Sequence, residues 1–238
     1  MRPLIPLAVL TFAVNAYAGV AYDYVTRIEA SRFTENTSGR VWVEGESYRA
    51  DVTGADGTRR AVISRDADES AVVIDFKKSL ITDRVRVTGS VRSSALFLFP
   101  GGPALLEGTP DVRYRRGETA TIAGERATEH VIEATFRARS KNNDGLVGGS
   151  FTIVARVWTN DELPPLPMKR PLRSGYPGVD EKLDAAAKNV TGMVLRHDLE
   201  VTRTLDGGPP QSERTSTIVT RVERMQVAAE IFTPTIAQ

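Results

Sequence analysis

Cysteine is absent from this chain. That excludes disulfides, thiol nucleophiles, iron–sulfur centres and cysteine-ligated zinc. Histidine is nearly absent, with two residues, His130 and His197. A metal site built on them would need a carboxylate partner, and no spacing in the sequence names one. Also missing are the Gly-x-Ser-x-Gly elbow, His-Glu-x-x-His, the phosphate-binding loop and the dinucleotide fingerprint. No catalytic residue and no cofactor is expected, and the chain reads as a non-enzyme.

Net charge is lacking too. Lys and Arg number 31 against 30 Asp and Glu. Residues 1–18 contain Arg2 and no acid, so the remainder carries 30 of each sign. A neutral chain has no electrostatic footprint for nucleic acid. Arg113, Arg115 and Arg116 make only a small basic cluster, read as a solvated face. Long apolar runs are confined to the start. Leu4 to Val14 is apolar except for Pro6 and Thr11, follows Arg2, and leads to Ala16-Tyr17-Ala18, a small-x-small cleavage pattern. This predicts a secretory signal over 1–18, cleaved after Ala18. Nothing later approaches the roughly 20 apolar residues that span a bilayer, and Gly19 is no lipidation site, so no stable membrane anchor is expected. A short signal without cysteine fits a bacterial periplasmic or secreted protein. The sequons at Asn36 and Asn189 are discounted in that setting.

What is present is period-two alternation. Val20, Tyr22, Tyr24, Thr26 and Ile28 share one face of a first strand. Arg40 to Val52 reads as a second, Arg60 to Arg65 and Ala71 to Phe76 as two more, and Leu80 to Val87 as the return after Lys77-Lys78-Ser79. Turns are placed at 53–57 and 65–69. Residues 93–117 break the rhythm. Ala95 to Phe99 is apolar and Pro100-Gly101-Gly102-Pro103 follows, which reads as buried core or as an apolar lid over a cavity. Alternation resumes with His130, Ile132, Ala134, Phe136 and Ala138, then with Phe151, Ile153, Ala155 and Val157 after a predicted loop over 142–149. Residues 161–177 are proline-rich and irregular. Val179, Leu183 and Ala187 give one helical stripe, with Asp180 and Glu181 near its start. Met193, Leu195, His197, Leu199 and Val201 share another strand face. Ile218, Thr220 and Val222 share the last, and 225–238 forms an apolar-rich tail. About ten strands and one clear helix, with no domain linker, predict a single domain over 19–238: one strongly curved antiparallel sheet, a half-barrel, with one or two helices and loops closing its concave face.

Candidate ligand contacts follow from bulk and polarity on such an inner face. Tyr22, Tyr24, Phe97, Phe99, Phe136 and Leu195 are apolar or aromatic candidates. Trp42 and Trp158 stand opposite the small or aliphatic faces of their strands and either pack on the sheet or line a ligand site. His130 and His197 fall on apolar faces, where a core imidazole bonded to a neighbour competes with a group orienting a ligand head. The acidic pairs Asp66/Asp68 and Asp180/Glu181 have local reasons to sit in a turn and at a helix start.

The order of these elements resembles the lipoprotein-carrier (LolA/LolB-like) superfamily, and most closely the uncharacterised periplasmic DUF4412-type proteins. The likeness rests on Arg40-Val41-Trp42-Val43-Glu44-Gly45-Glu46-Ser47-Tyr48-Arg49, on Val72 to Lys78, on Thr121-Ile122-Ala123-Gly124-Glu125, on Ala155-Arg156-Val157-Trp158-Thr159, on Gly192 to Leu195 and on Ile231-Phe232-Thr233-Pro234. It implies a half-barrel enclosing an apolar cavity for acyl chains, with Arg49 nearest to the arginine by which the carriers hold a lid. The chain lacks the carriers' Arg-Pro and second aromatic-Arg motif, and its 161–177 loop is not carrier-like.

Two readings follow. In the first, the protein binds a lipid, acyl chain or acylated protein in an apolar cavity. In the second, it is an envelope sensor or interaction module that meets a protein partner through the 161–177 loop and an exposed tail after Met225. A hydrolase is a distant third, because no nucleophile is available.

Overall fold

The computed structural model describes residues 19–30, 33–65, 70–86, 93–98, 104–142, 145–165 and 172–235. The predicted signal, the 66–69 turn and Phe99 lie outside these residues. Eleven strands form one antiparallel sheet, open at both edges: β1 (Gly19–Ala30), β2 (Phe33–Glu44), β3 (Ser47–Thr53), β4 (Arg59–Ser64), β5 (Ser70–Asp75), β6 (Leu80–Arg86), β7 (Ala104–Ile122), β8 (Glu125–Asn142), β9 (Gly145–Asn160), β10 (Met193–Leu205) and β11 (Pro210–Met225). The spatial order is β6-β5-β4-β3-β2-β1-β11-β10-β9-β8-β7. Two sequential meanders, β1–β6 and β7–β11, are thus joined by pairing the first strand with the last. One α-helix, α1 (Pro177–Ala187), and 3₁₀ turns at Ala95–Phe97 and Ala229–Phe232 complete the described elements.

Three sequence expectations change. The strand read over 40–52 is two strands, folded back at Gly45-Glu46, where Gly45 takes φ +57°. Polar residues on both sides of that turn hide it from an alternation reading. Residues 104–122 are not a break but the longest strand. As an edge strand β7 has only Pro110 and Ile122 fully buried; Leu106, Val112 and Tyr114 on its inner face are half-buried, so its inside–outside pattern is faint. The 142–149 loop shrinks, because β9 starts at Gly145 and pairs back in register with β8 from Asn142 onward. The β7–β8 turn is Ala123-Gly124, with φ +51° and +83°; two successive positive φ values suit the right-handed twist of a tight hairpin.

Curvature shows in the cores. Ile122 of edge strand β7 shares one buried cluster with Val41, Val43 and Tyr48 of β2 and β3, six and seven places away in the sheet order. The ladder between β10 and β11 runs only from Arg196↔Ile218 to Thr204↔Pro210. Beyond it, Met193 and Val194 pair with β9 alone, and Val219–Met225 pair with β1 alone. The sheet therefore parts at that end. Met193, Leu195 and Leu163 from one side of the gap and Val20, Tyr22 and Val219 from the other fill the space between.

Candidate binding face

One face of β7–β10 carries the largest buried apolar cluster among the described residues, with α1 lying on its β7–β8 side and the 95–97 turn on its β10 side. Cross-strand pairing lines up Ile132–Ala155–Leu199, Ala134–Ile153–Val201 and Phe136–Phe151–Arg203. The cover consists of Phe97 from the first 3₁₀ turn, Tyr176, and Val179 and Leu183 from α1, all buried. At the centre the Phe136 and Phe151 rings stack at 4.7 Å and 7°, with Tyr176 tilted against Phe136 at 5.3 Å. This interior is filled by the chain's own side chains.

Why the cover takes this form can be read locally. Pro177 opens α1, where its missing N–H costs nothing. Asp180 accepts from the backbone N–H of Ser174 (2.7 Å) and Gly175 (3.2 Å) and from the Ser174 hydroxyl, placing an anion at the positive helix end. Ser94 Oγ accepts from Leu96 N and starts the 95–97 turn. Ser93 and Arg173 exchange two bonds, Ser93 N to Arg173 O and Arg173 N to Ser93 Oγ, and Arg173 pairs with Asp184 at 2.7 Å. Tyr176 Oη donates to Phe97 O. The 93–98 segment, the 172–176 segment and α1 thus form one unit. To the sheet this unit is held by Lys182 Nζ donating to Pro110 O of β7 and by Arg203 Nη1 donating to Leu96 O (3.2 Å) and Leu98 O (2.6 Å). Leu98 stands 53% exposed at its margin.

Arg203 differs from Arg173, which is paired with Asp184. Arg203 Nη2 donates to Gln211, its Nε is buried without a partner, and among the described residues no carboxylate pairs with it. Burial pulls its pKa below the ordinary arginine value. Strand parity places it on the same face as Leu199 and Val201.

The expected contact residues do not converge on one place. Phe97 and Phe136 belong to this covered face. Tyr22, Tyr24, Trp158 and Leu195 belong to the cluster at the parted end, where Arg196 sits 4.7 Å over the Trp158 ring. The Tyr24 ring lies on Gly39, its cross-strand partner; a Cβ there would fall 2.7 Å from two ring carbons. His130 is buried between Tyr114 Oη (2.9 Å, to Nδ1) and Thr159 Oγ1 (3.1 Å, to Nε2), and burial, reinforced by Arg116, lowers its pKa. Both ring nitrogens are thereby engaged with the protein itself. His197 lies two strands over, across Val157 of β9 from His130, half-buried; burial lowers its pKa as well, with Asp198 opposing.

Trp42 and Arg49 are on the opposite face. Arg49 forks onto Asp51 (2.6 and 3.0 Å), stands 5.9 Å over the Trp42 ring and donates to Ile231 O. Arg65 adds two bonds to Phe232 O. The tail after Met225 is therefore not an exposed arm. Val227 and Phe232 are buried against Ala61, Ile63 and Ile74, because an apolar strand face left uncovered by the helix must be covered by something else. On this face a cleft of about 460 Å³ is lined by Asp23, Arg40, Trp42, Asp51, Arg59 and Phe76, and one of about 600 Å³ lies beside Ser47 and Ala228. The first is polar, with Arg40 tied to Asp23 and Glu223. Among the described residues no group of three His, Asp or Glu could hold a metal ion, and no helix is long and apolar enough to cross a membrane.

Sequence reasoning missed Arg203. The available signal was a charge at a position whose neighbours two and four residues earlier, Val201 and Leu199, are core residues.

Compared with known proteins, the sequence matches no family and no curated protein. Among solved structures, the chain is similar to a DUF1329 family protein from Desulfovibrio piger, at 11% identity over 92% of this chain and 91% of that one, with a TM-score of 0.36. It is also similar to an outer membrane lipoprotein-sorting protein domain from Vibrio parahaemolyticus (8% identity, 92% and 90% covered, TM-score 0.32). A third similarity is to the Pseudomonas aeruginosa MucA/MucB complex (10% identity, 89% and 95% covered, TM-score 0.25). At these identities and scores the likenesses carry no argument about what the chain does.

Proposed function

We propose that this protein is an exported, non-enzymatic binder of an apolar, acyl-bearing ligand. The ligand site is the face of β8–β10 beneath the unit formed by residues 93–98, 172–176 and α1. One observation carries the reading. The widest apolar face of the sheet is covered by no strand, only by a 3₁₀ turn, an irregular segment and an 11-residue helix. Those pieces plug it with Phe97, Tyr176, Val179 and Leu183 and are tied to the sheet through Lys182 and Arg203. An acyl chain that displaced these side chains would gain roughly 0.8 kcal/mol per buried CH₂. Phe97 and Phe136 are the expected contacts, with Phe151 and Leu199 beside them. Tyr22, Tyr24, Trp158 and Leu195 serve the packing of the parted end, and Trp42 and Arg49 hold the C-terminal segment. Export by cleavage after Ala18 to the periplasm belongs to the same proposal.

The test is native mass spectrometry of protein purified without detergent, before and after organic extraction and again after incubation with palmitate. A bound mass of several hundred daltons that extraction removes, or stoichiometric uptake of palmitate, is expected. A clean unliganded mass that palmitate leaves unchanged would sink the reading.

A further inference from the structure

We infer that Arg203 is the head-group receptor of this site, and that the ligand is an anionic amphiphile, a carboxylate or phosphate on an acyl chain, in preference to a neutral lipid. The inference rests on the covered face being the ligand site, as proposed above.

The argument begins with position. Arg203 continues the row Phe136–Phe151 across β8, β9 and β10, so its side chain rises beside the stacked rings. It stands at the margin of the apolar face, next to half-exposed Leu98. A partly buried guanidinium is costly without a counter-charge. Other partly buried arginines meet that cost with acids: Arg40 has Asp23 and Glu223, Arg49 has Asp51, Arg173 has Asp184. Among the described residues Arg203 has two main-chain carbonyls and the Gln211 amide as acceptors, and its Nε–H is buried with none. Glu213, opposite Val201 on the neighbouring strand, shares the face and forms no ion pair with it.

The two carbonyls belong to the cover. When residues 95–98 move aside, Arg203 loses the acceptors at Leu96 and Leu98 while its Nε is already unsatisfied. A carboxylate or phosphate would then meet the fork with two parallel charge-assisted bonds, which carbonyls cannot match. The same side chain therefore latches the empty state through the cover and stabilises the filled state through the ligand. Entry of the acyl chain and release of the latch become one exchange.

The experiment compares binding of palmitate with its neutral methyl ester, by calorimetry on the purified protein, in the native chain, Arg203→Gln and Arg203→Lys. Palmitate is expected to bind at least tenfold more tightly than the ester. Arg203→Gln should equalise the two by weakening palmitate alone, and Arg203→Lys should restore a preference of intermediate size. Equal binding of both ligands by the native chain would overturn the head-group assignment and leave the acyl site standing. A preference that persists in Arg203→Gln would do the same. Should Arg203→Gln fail to fold, the native preference and its reduction in Arg203→Lys decide. Binding of neither ligand would remove the site and the inference together.

Discussion

Two irregular covers close this sheet, one on each face, and both are pinned by arginines that donate to main-chain carbonyls. Over β8–β10, Arg203 holds Leu96 and Leu98. Over the outer face of β2–β5, Arg49 and Arg65 hold Ile231 and Phe232. Arg65 is exposed and donates to Phe232 O and the Thr233 hydroxyl; the difference between Arg49 and Arg203 lies in what stands behind each. Arg49 is forked onto Asp51 and lies over Trp42, so its geometry survives whatever the C-terminal segment does. Arg203 has no acid, and its alternatives to the cover are water or a ligand. A self-sufficient arginine makes a strap; an arginine short of acceptors makes a latch.

The comparison can be broken by substitution. Phe136→Ala, beneath the helical cover, should have the largest effect, about 3–5 kcal/mol of lost stability measured by urea unfolding, because a stacked ring at the centre of a core leaves a cavity. Phe232→Ala should fall in the ordinary range of about 0.5–3 kcal/mol. Its signature should be local, with faster hydrogen exchange over 229–235 and little change in α1. Equal global losses from the two would show the strap to be as integral as the helix. Arg65→Ala, which removes only the bonds to Phe232 O and Thr233, should cost about 1 kcal/mol and reproduce that exchange pattern weakly.

A smaller, pH-dependent effect separates the faces again. Burial holds His130 and His197 below the ordinary histidine value of 6.5. The unfolded chain therefore takes up protons first as pH falls. The stability these residues contribute is complete above about pH 6.5 and declines below it, through their lower folded values. The urea midpoint should drop between pH 7 and 5, and His130→Gln should flatten the slope, whereas Phe232→Ala should leave the slope unchanged.

Alternation was readable wherever one strand face is buried and the other is wet. Ile132, Ala134, Phe136 and Ala138 on β8 are buried in turn with exposed Glu133, Thr135 and Arg137 between them. It was faint on β7, where Leu106, Val112 and Tyr114 are only half-buried beneath α1, and at Gly45-Glu46, where strand and turn share a polar composition. The helix was placed to within two residues, because Val179 and Leu183 face the core a turn apart. The site was less legible for a different reason. Periodicity tells which residues of a strand share a face, but not which of eleven strands that face meets. Trp42 and Tyr22 come from adjacent strands and yet serve opposite faces, since Trp42 pairs with Ala21 and Val41 with Tyr22.

The pairing of β1 with β11 has a kinetic meaning. Every other pair of neighbours in the sheet is consecutive along the chain, whereas Gly19 pairs with Met225 across nearly its whole described length. Contacts of such sequence separation form slowly. Each meander can gather on its own, but the seam at the middle of the sheet must wait for the last strand. A chain with its seam there stays divisible until synthesis is nearly finished.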